Sequence, residues 1–376
     1  MNRRHFFTAA AGAIAASPLL ANRSFGRAAA APAGQSTVGD MIYVSALTGA
    51  DSSPGTKDMP LKTLGEAARR VNSARGTGPT TVILAEGLYP LDQTVLIKSD
   101  RQYTKTARLT IRAESLPDDA DWAPARMPVL LPIMPLSKTW MGRPDPFGGV
   151  AYGIQVETSH VSIQGFKVLG MPHYEFPATA EIHRVYPIAR EGDALEDLEI
   201  KQCFFAGDPV ALPTHCGILA RGHGVVIEHC LFHRCKVTVV FWGARGGTAQ
   251  GDAMRNCLAI DSYGCGLWTT QQGDDFDFRN NIISGSQYAW IREGGSRHYK
   301  VIDSVFAGNK YLVGSGAGPA LNFKTLDPAI MELPKSIPVV DRAVELERDE
   351  TKRNFLHVLP GTLGSDLRAG LFTKGF

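Results

Sequence analysis

Between residues 161 and 304 the chain repeats one pattern of apolar and polar positions, apolar-x-apolar-x-x-small. It reads Leu198, Ile200, Cys203; Val225, Ile227, Cys230; Met254, Cys257; Phe276, Phe278, Asn281; and Tyr299, Val301, Ser304. The closing residues follow one another at intervals of 27, 27, 24 and 23 residues. A near-constant period of this size marks a solenoid in which each unit stacks on the last. The alternation within a unit has period two, which is the period of a strand and not of a helix. The prediction is an all-β chain, a right-handed parallel β-helix of one strand-built coil after another.

In such a stack Cys203, Cys230, Cys257, Asn281 and Ser304 form one column of small side chains turned into the coil, with strand spacings of about 4.8 Å. Val161, Ile163 and Phe166 extend it by one unit. The step from Phe166 to Cys203 is 37 residues, so Met171 to Glu191 reads as an insertion on one face, where solenoids carry function. Thr63 and Glu66 form a capping box ahead of Leu64, Ala68 and Val71, which with Leu61 share a helical face. A helix there would close the open end of the first coil, an edge that otherwise invites pairing. After Ser304 the repeat fades; Val339 to Arg353 reads as a charged helix and Phe355 to Phe376 as a segment lying back along the coil.

The stretch Tyr43-Val44-Ser45, Gly49 to Thr56, Pro60-Leu61-Lys62-Thr63-Leu64 and Glu66-Ala67-Ala68 resembles the entry segment of the pectate-lyase-like β-helix superfamily. Thr81-Val82-Ile83-Leu84, Gly87-Leu88-Tyr89 and Leu109-Thr110-Ile111-Arg112 resemble its first strands. The resemblance covers about residues 41 to 310. It implies an exported carbohydrate-active protein whose substrate groove runs along the strands preceding the apolar-x-apolar strands. Here those are Pro187 to Arg190, Gly217 to Arg221, Val239 to Gly243, Gly266 to Thr270 and Ala289 to Arg292. Trp242, Trp268 and Trp290 stand at nearly the same place in three of them, and aromatic rings in a row suit the apolar faces of sugars. The same rings would fill the core if the register moved by one residue.

Arg190, Arg221, Arg245, Arg292 and Arg297 make a candidate carboxylate-binding strip, because guanidinium forks bind carboxylates bidentately. Solvated arginines or ladder ion pairs are the plainer alternative. Asp275 and Asp277 flank Phe276 and would point outward about 6.6 Å apart, with His298 and Lys300 in the same columns of the next coil. Such a cluster is either a structural cross-strand network or a carboxylate pair with a proton-transfer partner, as in an inverting hydrolase. Glu293 is a further candidate carboxylate. The insertion adds His173, Tyr174, His183, Arg184, Tyr186 and Glu191, a set able to wall a groove and supply a base. Gly273-Asp274-Asp275 and Gly222-His223-Gly224 resemble two polygalacturonase motifs, but in reversed order and without their partner motifs, so no roles are carried over.

Asn2-Arg3-Arg4-His5-Phe6-Phe7 and the Ala-rich run from Thr8 to Ala21 resemble a twin-arginine signal. The expected division is a signal at 1–31, a β-helix at 40–325 and a C-terminal segment at 326–376, with a periplasmic or secreted mature protein and no membrane span. With 39 basic and 37 acidic side chains the net charge is +2, and no nucleic-acid partner follows from that balance. Six cysteines would suggest disulfides in an exported chain, yet stacked ladder positions have poor disulfide geometry. Cys203, Cys230 and Cys257 are therefore read as buried thiols, with Cys216, Cys235 and Cys265 open.

The leading expectation is a polysaccharide- or oligosaccharide-cleaving enzyme. A lyase acting on uronate sugars by β-elimination would use Arg221 and Arg292 to neutralise the carboxylate while a base takes the α proton. Calcium would serve the same neutralisation, although no ligand set is recognisable by spacing. The alternatives are a glycoside hydrolase using carboxylates and a non-catalytic carbohydrate-binding or surface-structural protein.

Overall fold

The computed structural model describes residues 40–140, 143–145, 147–172, 183–243, 247–294, 299–316 and 322–374. The signal segment, His173, Tyr174, Arg245, Arg297 and His298 lie outside the described residues.

The chain is a parallel β-helix, the architecture that the entry-segment resemblance implied. Each coil contributes one strand to each of three nine-stranded sheets. The first sheet holds the alternating strands, among them Val161–Gln164, Glu196–Lys201, His223–Glu228, Ala253–Arg255, Asp277–Arg279 and Lys300–Ile302. The second holds the short strands that follow them, from Leu88–Leu91 to Val339–Val340. The third holds Val95–Ile97, Val150–Val156, Arg184–Arg190, Cys216–Arg221, Val237–Gly243, Cys265–Thr270, Tyr288–Glu293 and Tyr311–Ser315, closed by the antiparallel Lys324–Thr325.

The small-residue column lies at the corner between the first two sheets. Leu231 N–H donates to Cys203 O, Leu258 to Cys230 O and Ile282 to Cys257 O, each at 2.9 Å, and Val305 to Asn281 O at 2.8 Å. Asn281 ties three coils together, accepting from Cys257 N–H and donating through Nδ2 to Met254 O in the coil before, while its own N–H donates to Ser304 Oγ in the coil after. The residue before each column member is left-handed: Gly165, Gln202, His229, Asn256, Asn280 and Asp303 have φ between 39° and 85°. That turn bends the chain from one sheet into the next, which is why polar residues and glycine occupy it. All six cysteines are free and buried, and desolvation pushes the Cys235 thiol up to about 12.

The predicted helix spans Leu64–Ser73 and buries Leu64, Ala67, Ala68 and Val71 against the coil core. Thr63 Oγ1 accepts from Glu66 N–H at 3.1 Å, but the return half of the capping box is made differently. Asp51 takes Thr63 N–H at 2.9 Å, while Glu66 pairs with Arg69 and Arg70. Val339 to Arg353 is not helical: Val339 and Val340 pair with Phe306 and Ala307 and lengthen the second sheet. Farther on, Leu356, Leu371 and Phe372 pack on Phe204, Leu231, Leu258 and Ile282 of the second sheet. Among the described residues no helix is long and apolar enough to cross a membrane.

Candidate functional site

The third sheet has an inner column of Ile154, Ile188, Ile218, Val239, Leu267, Trp290 and Val313, set by its register and packed in the coil core. Its outer face carries a second apolar cluster containing Tyr186, Leu219, Val240, Trp268, Tyr288 and Ile291. The register pairs Trp268 with Ile291 and Leu267 with Trp290. Trp290 is thus one residue out of step with Trp268 and faces the other way. It is wholly buried, donates from Nε1 to Thr269 Oγ1 at 2.9 Å and stacks on Tyr299. The expected row of three groove tryptophans is corrected accordingly: Trp268 faces outward beneath Phe323, and Trp242 beside it is half-buried at 6.1 Å.

Among the described residues, Arg190, Arg221 and Arg292 of the arginine strip do not assemble on this face. Arg190 lies two residues past Ile188 and turns inward, donating to Arg221 O at 2.7 Å and His223 O at 3.0 Å. Burial pushes its pKa down to about 10, and the charges of Asp252 and Asp197 oppose the fall. Arg292 shares the inward parity of Trp290 and lies over the Tyr299 ring at 4.5 Å, donating to Ile330 O at 2.9 Å. Of the three described arginines of the strip, only Arg221 reaches the outer face, 3.4 Å from Asp193 and 5.5 Å from the centre of the Trp242 ring.

The carboxylates divide in the same way. Asp277 lies on the first sheet between Arg255 and Arg279, beside Lys300 as the column predicted. Asp275 sits in the preceding loop and accepts from Gly251 N–H at 2.6 Å. Of the two readings, Asp277 shows the structural cross-strand network, while Asp275 is turned to the Gly251 backbone. Glu293 does belong to the third sheet, paired with Thr270, and accepts from Gly316 N–H at 3.0 Å. Burial pushes its carboxyl up, against the Gly316 N–H and the Trp268 indole.

A different constellation forms at the start of this sheet. Arg184 and Tyr186 belong to the regular strand Arg184–Arg190 rather than to an insertion. Glu191 follows that strand, and its Oε1 accepts from Tyr152 Oη at 2.6 Å and from Trp140 Nε1 at 3.1 Å. Tyr152 stacks on Tyr186, with ring centres 5.6 Å apart. Burial, then the charge of Glu191 and the bond to it, push the Tyr152 phenol far above its ordinary value, so it remains a donor at neutral pH. Trp140 is held from behind: the Arg184 guanidinium lies 4.4 Å from its ring centre and forms a fully buried ion pair with Asp145. Asp145 also accepts from the N–H groups of Gly148 and Gly149, fixing the strap that carries Trp140.

Glu191 and Asp193 line a cavity of about 1150 Å³ together with Tyr152, Glu157, Lys98 and Asp92. Continuing the register past Arg190 sets Glu191 beside Arg221, which pairs with Gly243 across a bulge that leaves Trp242 as the extra residue; past Phe241 and Thr269 Trp242 continues to Thr270, which pairs with Glu293. Glu191 and Glu293 are four strand steps apart, about 19 Å, too far to act as a pair on one bond. A second cavity of about 780 Å³ lies at the helix start. Of its acidic groups, Asp51 and Glu66 are already engaged with Thr63 and with Arg69 and Arg70, and Asp92 is shared with the wall of the larger cavity. Among the described residues no group of three or more His, Cys, Asp and Glu side chains is placed to hold a metal ion.

Sequence reasoning included Glu191 but missed Tyr152, Trp140 and Asp193. The available signal was the run Val150–Val156, an unassigned apolar stretch one coil before Arg184–Arg190.

No family model and no curated protein matches the sequence. Among solved structures it is similar to a GH136 lacto-N-biosidase from Eubacterium ramulus, at 11% identity and a TM-score of 0.49 over 75% of this chain. The chain spans 58% of the length of that protein. It is also similar to a rhamnogalacturonan lyase, at 13% identity and a TM-score of 0.44, over 89% of this chain and all of the other. A pectin methylesterase from Aspergillus niger matches at 14% identity and a TM-score of 0.40, over 79% of this chain and 94% of the other.

Proposed function

We propose that this chain is an exported glycan-cleaving enzyme whose acid–base centre is Glu191, held by Tyr152 and Trp140 at the wall of the 1150 Å³ cavity. That single arrangement carries the reading. Both donors meet Oε1 of the carboxylate, so its rotation is fixed and neither occupies Oε2. A carboxylate oriented in a cavity by neutral donors is suited to take a proton from a water or a sugar hydroxyl. Asp193 supplies a second carboxylate two residues away, steadied by Arg221, and Trp242 offers a face for a pyranose beside it.

Hydrolysis fits this set better than elimination. Two carboxylates flanking one bond are the usual requirement for glycoside hydrolysis. The elimination reading through arginines loses Arg190 and Arg292, which are committed elsewhere, and would rest on Arg221 or a bound cation. It keeps one supporting observation, the Arg221 guanidinium above Trp242.

The test is a panel of polysaccharides and oligosaccharides, with and without calcium, followed by reducing ends and by the absorbance of unsaturated products. Reducing ends without absorbance support hydrolysis, and absorbance supports elimination. Replacement of Glu191 by Gln should lower turnover by roughly 10²- to 10⁴-fold. Full activity of that variant would move the centre elsewhere.

A further inference from the structure

The charge of the cavity wall bears on which glycans it admits, an inference that rests on the glycan-cleaving reading of the same site. Four carboxylates line it, Asp92, Glu157, Glu191 and Asp193, against one ammonium, Lys98. Lys98 is spent on Glu157 at 3.0 Å, and Asp193 is offset by Arg221 from outside the cavity. Among the described residues neither Asp92, at the exposed turn between Leu88–Leu91 and Val95–Ile97, nor Glu191 makes an ion pair. The groups that hold Glu191 are neutral, a phenol and an indole. Gln93, Thr94, Ser137 and Gln155 add uncharged hydrogen-bonding side chains to the same wall.

A uronate placed here would bring its carboxylate toward these like charges, of which Glu157, Glu191 and Asp193 are half-buried and screened less than the exposed Asp92. An uncharged sugar meets the opposite conditions. Its hydroxyls can donate to the carboxylates and exchange bonds with the amides and hydroxyls, and its apolar face can lie on Tyr152 or Trp140. We infer that the cavity binds uncharged sugar residues and discriminates by charge against uronates.

The test is calorimetric titration of the wild-type protein with matched oligosaccharides, one set neutral and one with the same sugars oxidised at C6 to carboxylates. The neutral set should bind at least tenfold more tightly at low salt. The gap should narrow at high salt and in the double variant Asp92→Asn, Glu157→Gln. Tighter binding of the oxidised set would overturn the inference. So would a gap unmoved by both salt and the variant, or no neutral oligosaccharide bound at millimolar concentration. Because binding is read apart from cleavage, neutral ligands that bind without being cut leave this inference standing and remove the hydrolytic reading instead.

Discussion

The Tyr152 phenol donates to the Glu191 carboxylate at 2.6 Å across 39 residues of sequence, and adjacent coils bring them together. Hydrogen bonds to charged groups are worth about 1.5–3 kcal/mol. The Tyr152→Phe variant should therefore keep its fold and lose roughly 10- to 100-fold in turnover on a cleaved glycan. Steady-state kinetics with a thermal melt check this. An inactive protein that has also lost its melting transition would make Tyr152 a structural residue.

Behind Trp140, the Arg184–Asp145 pair is buried on both sides. Removing one partner of such a pair strands the other charge, at a cost of about 3–5 kcal/mol. Arg184→Met should lower the denaturation midpoint strongly, and the double change with Asp145→Asn should recover part of the loss. The recovered portion is the interaction term of a double-mutant cycle. If each single variant denatures like wild type, the strap is not anchored by this pair.

Trp290 and Trp242 should fail in different ways. Trp290 is fully buried in the coil, so Trp290→Ala should cost about 3–5 kcal/mol of stability. Trp242 is half-buried beside Arg221, and Trp242→Ala should weaken glycan binding by about 1 kcal/mol with the fold little changed. Urea denaturation and ligand titration of both variants separate the two effects.

Asp252 is almost wholly buried, and desolvation raises its carboxyl to about 7, against the Val225 N–H and the charge of Arg190. Its contribution to stability is fully present below the ordinary value of 3.8. It is lost as pH rises toward 7, because there the native state binds the extra proton. His357 runs the other way: burial pushes it down to about 4, so its contribution is complete above 6.5 and lost as pH falls. Asp252→Asn keeps a group able to accept from Val225 N–H and removes only the first dependence. The stability of the variant relative to wild type should therefore rise between pH 4 and 7, by no more than about 4 kcal/mol. A difference constant over that range would show that Asp252 titrates normally.

Arg3 and Arg4 precede the Ala-rich run, and replacing both by Lys should leave precursor in the cytoplasm if the chain uses the twin-arginine route. Fractionation of producing cells checks this. Undiminished export of the double variant would reject the route.

The coil architecture was legible because its cause is local and repeated. Every unit from Val161 onward carries the same alternation except that of Met254, where Asp252 replaces the first apolar residue, and the positions of Cys203, Cys230, Cys257, Asn281 and Ser304 count off the stack without any contact being known. The capping helix was legible for the same reason, although Asp51 rather than Glu66 completes its start. The direction of single side chains on the third sheet was not. Those strands lack the strict alternation of the first sheet, since both their faces are apolar, and nothing in the order of residues says that Trp268 aligns with Ile291 instead of Trp290. That one-residue difference buried Trp290, and inward parity took Arg190 and Arg292 out of the expected arginine strip.

The site depended on still longer connections. Trp140 reaches Glu191 from a strap fastened by Asp145 to Arg184, and Tyr152 reaches it from the preceding coil, over separations of 51, 39 and 39 residues. The sequence by itself determined a stack of strands and the corners that turn it, since repetition makes each coil answerable to its neighbour. Only the tertiary structure decided which carboxylate stands in a cavity, because the inserted chain between coils has no repeat to set its register and is placed by the contacts it finds.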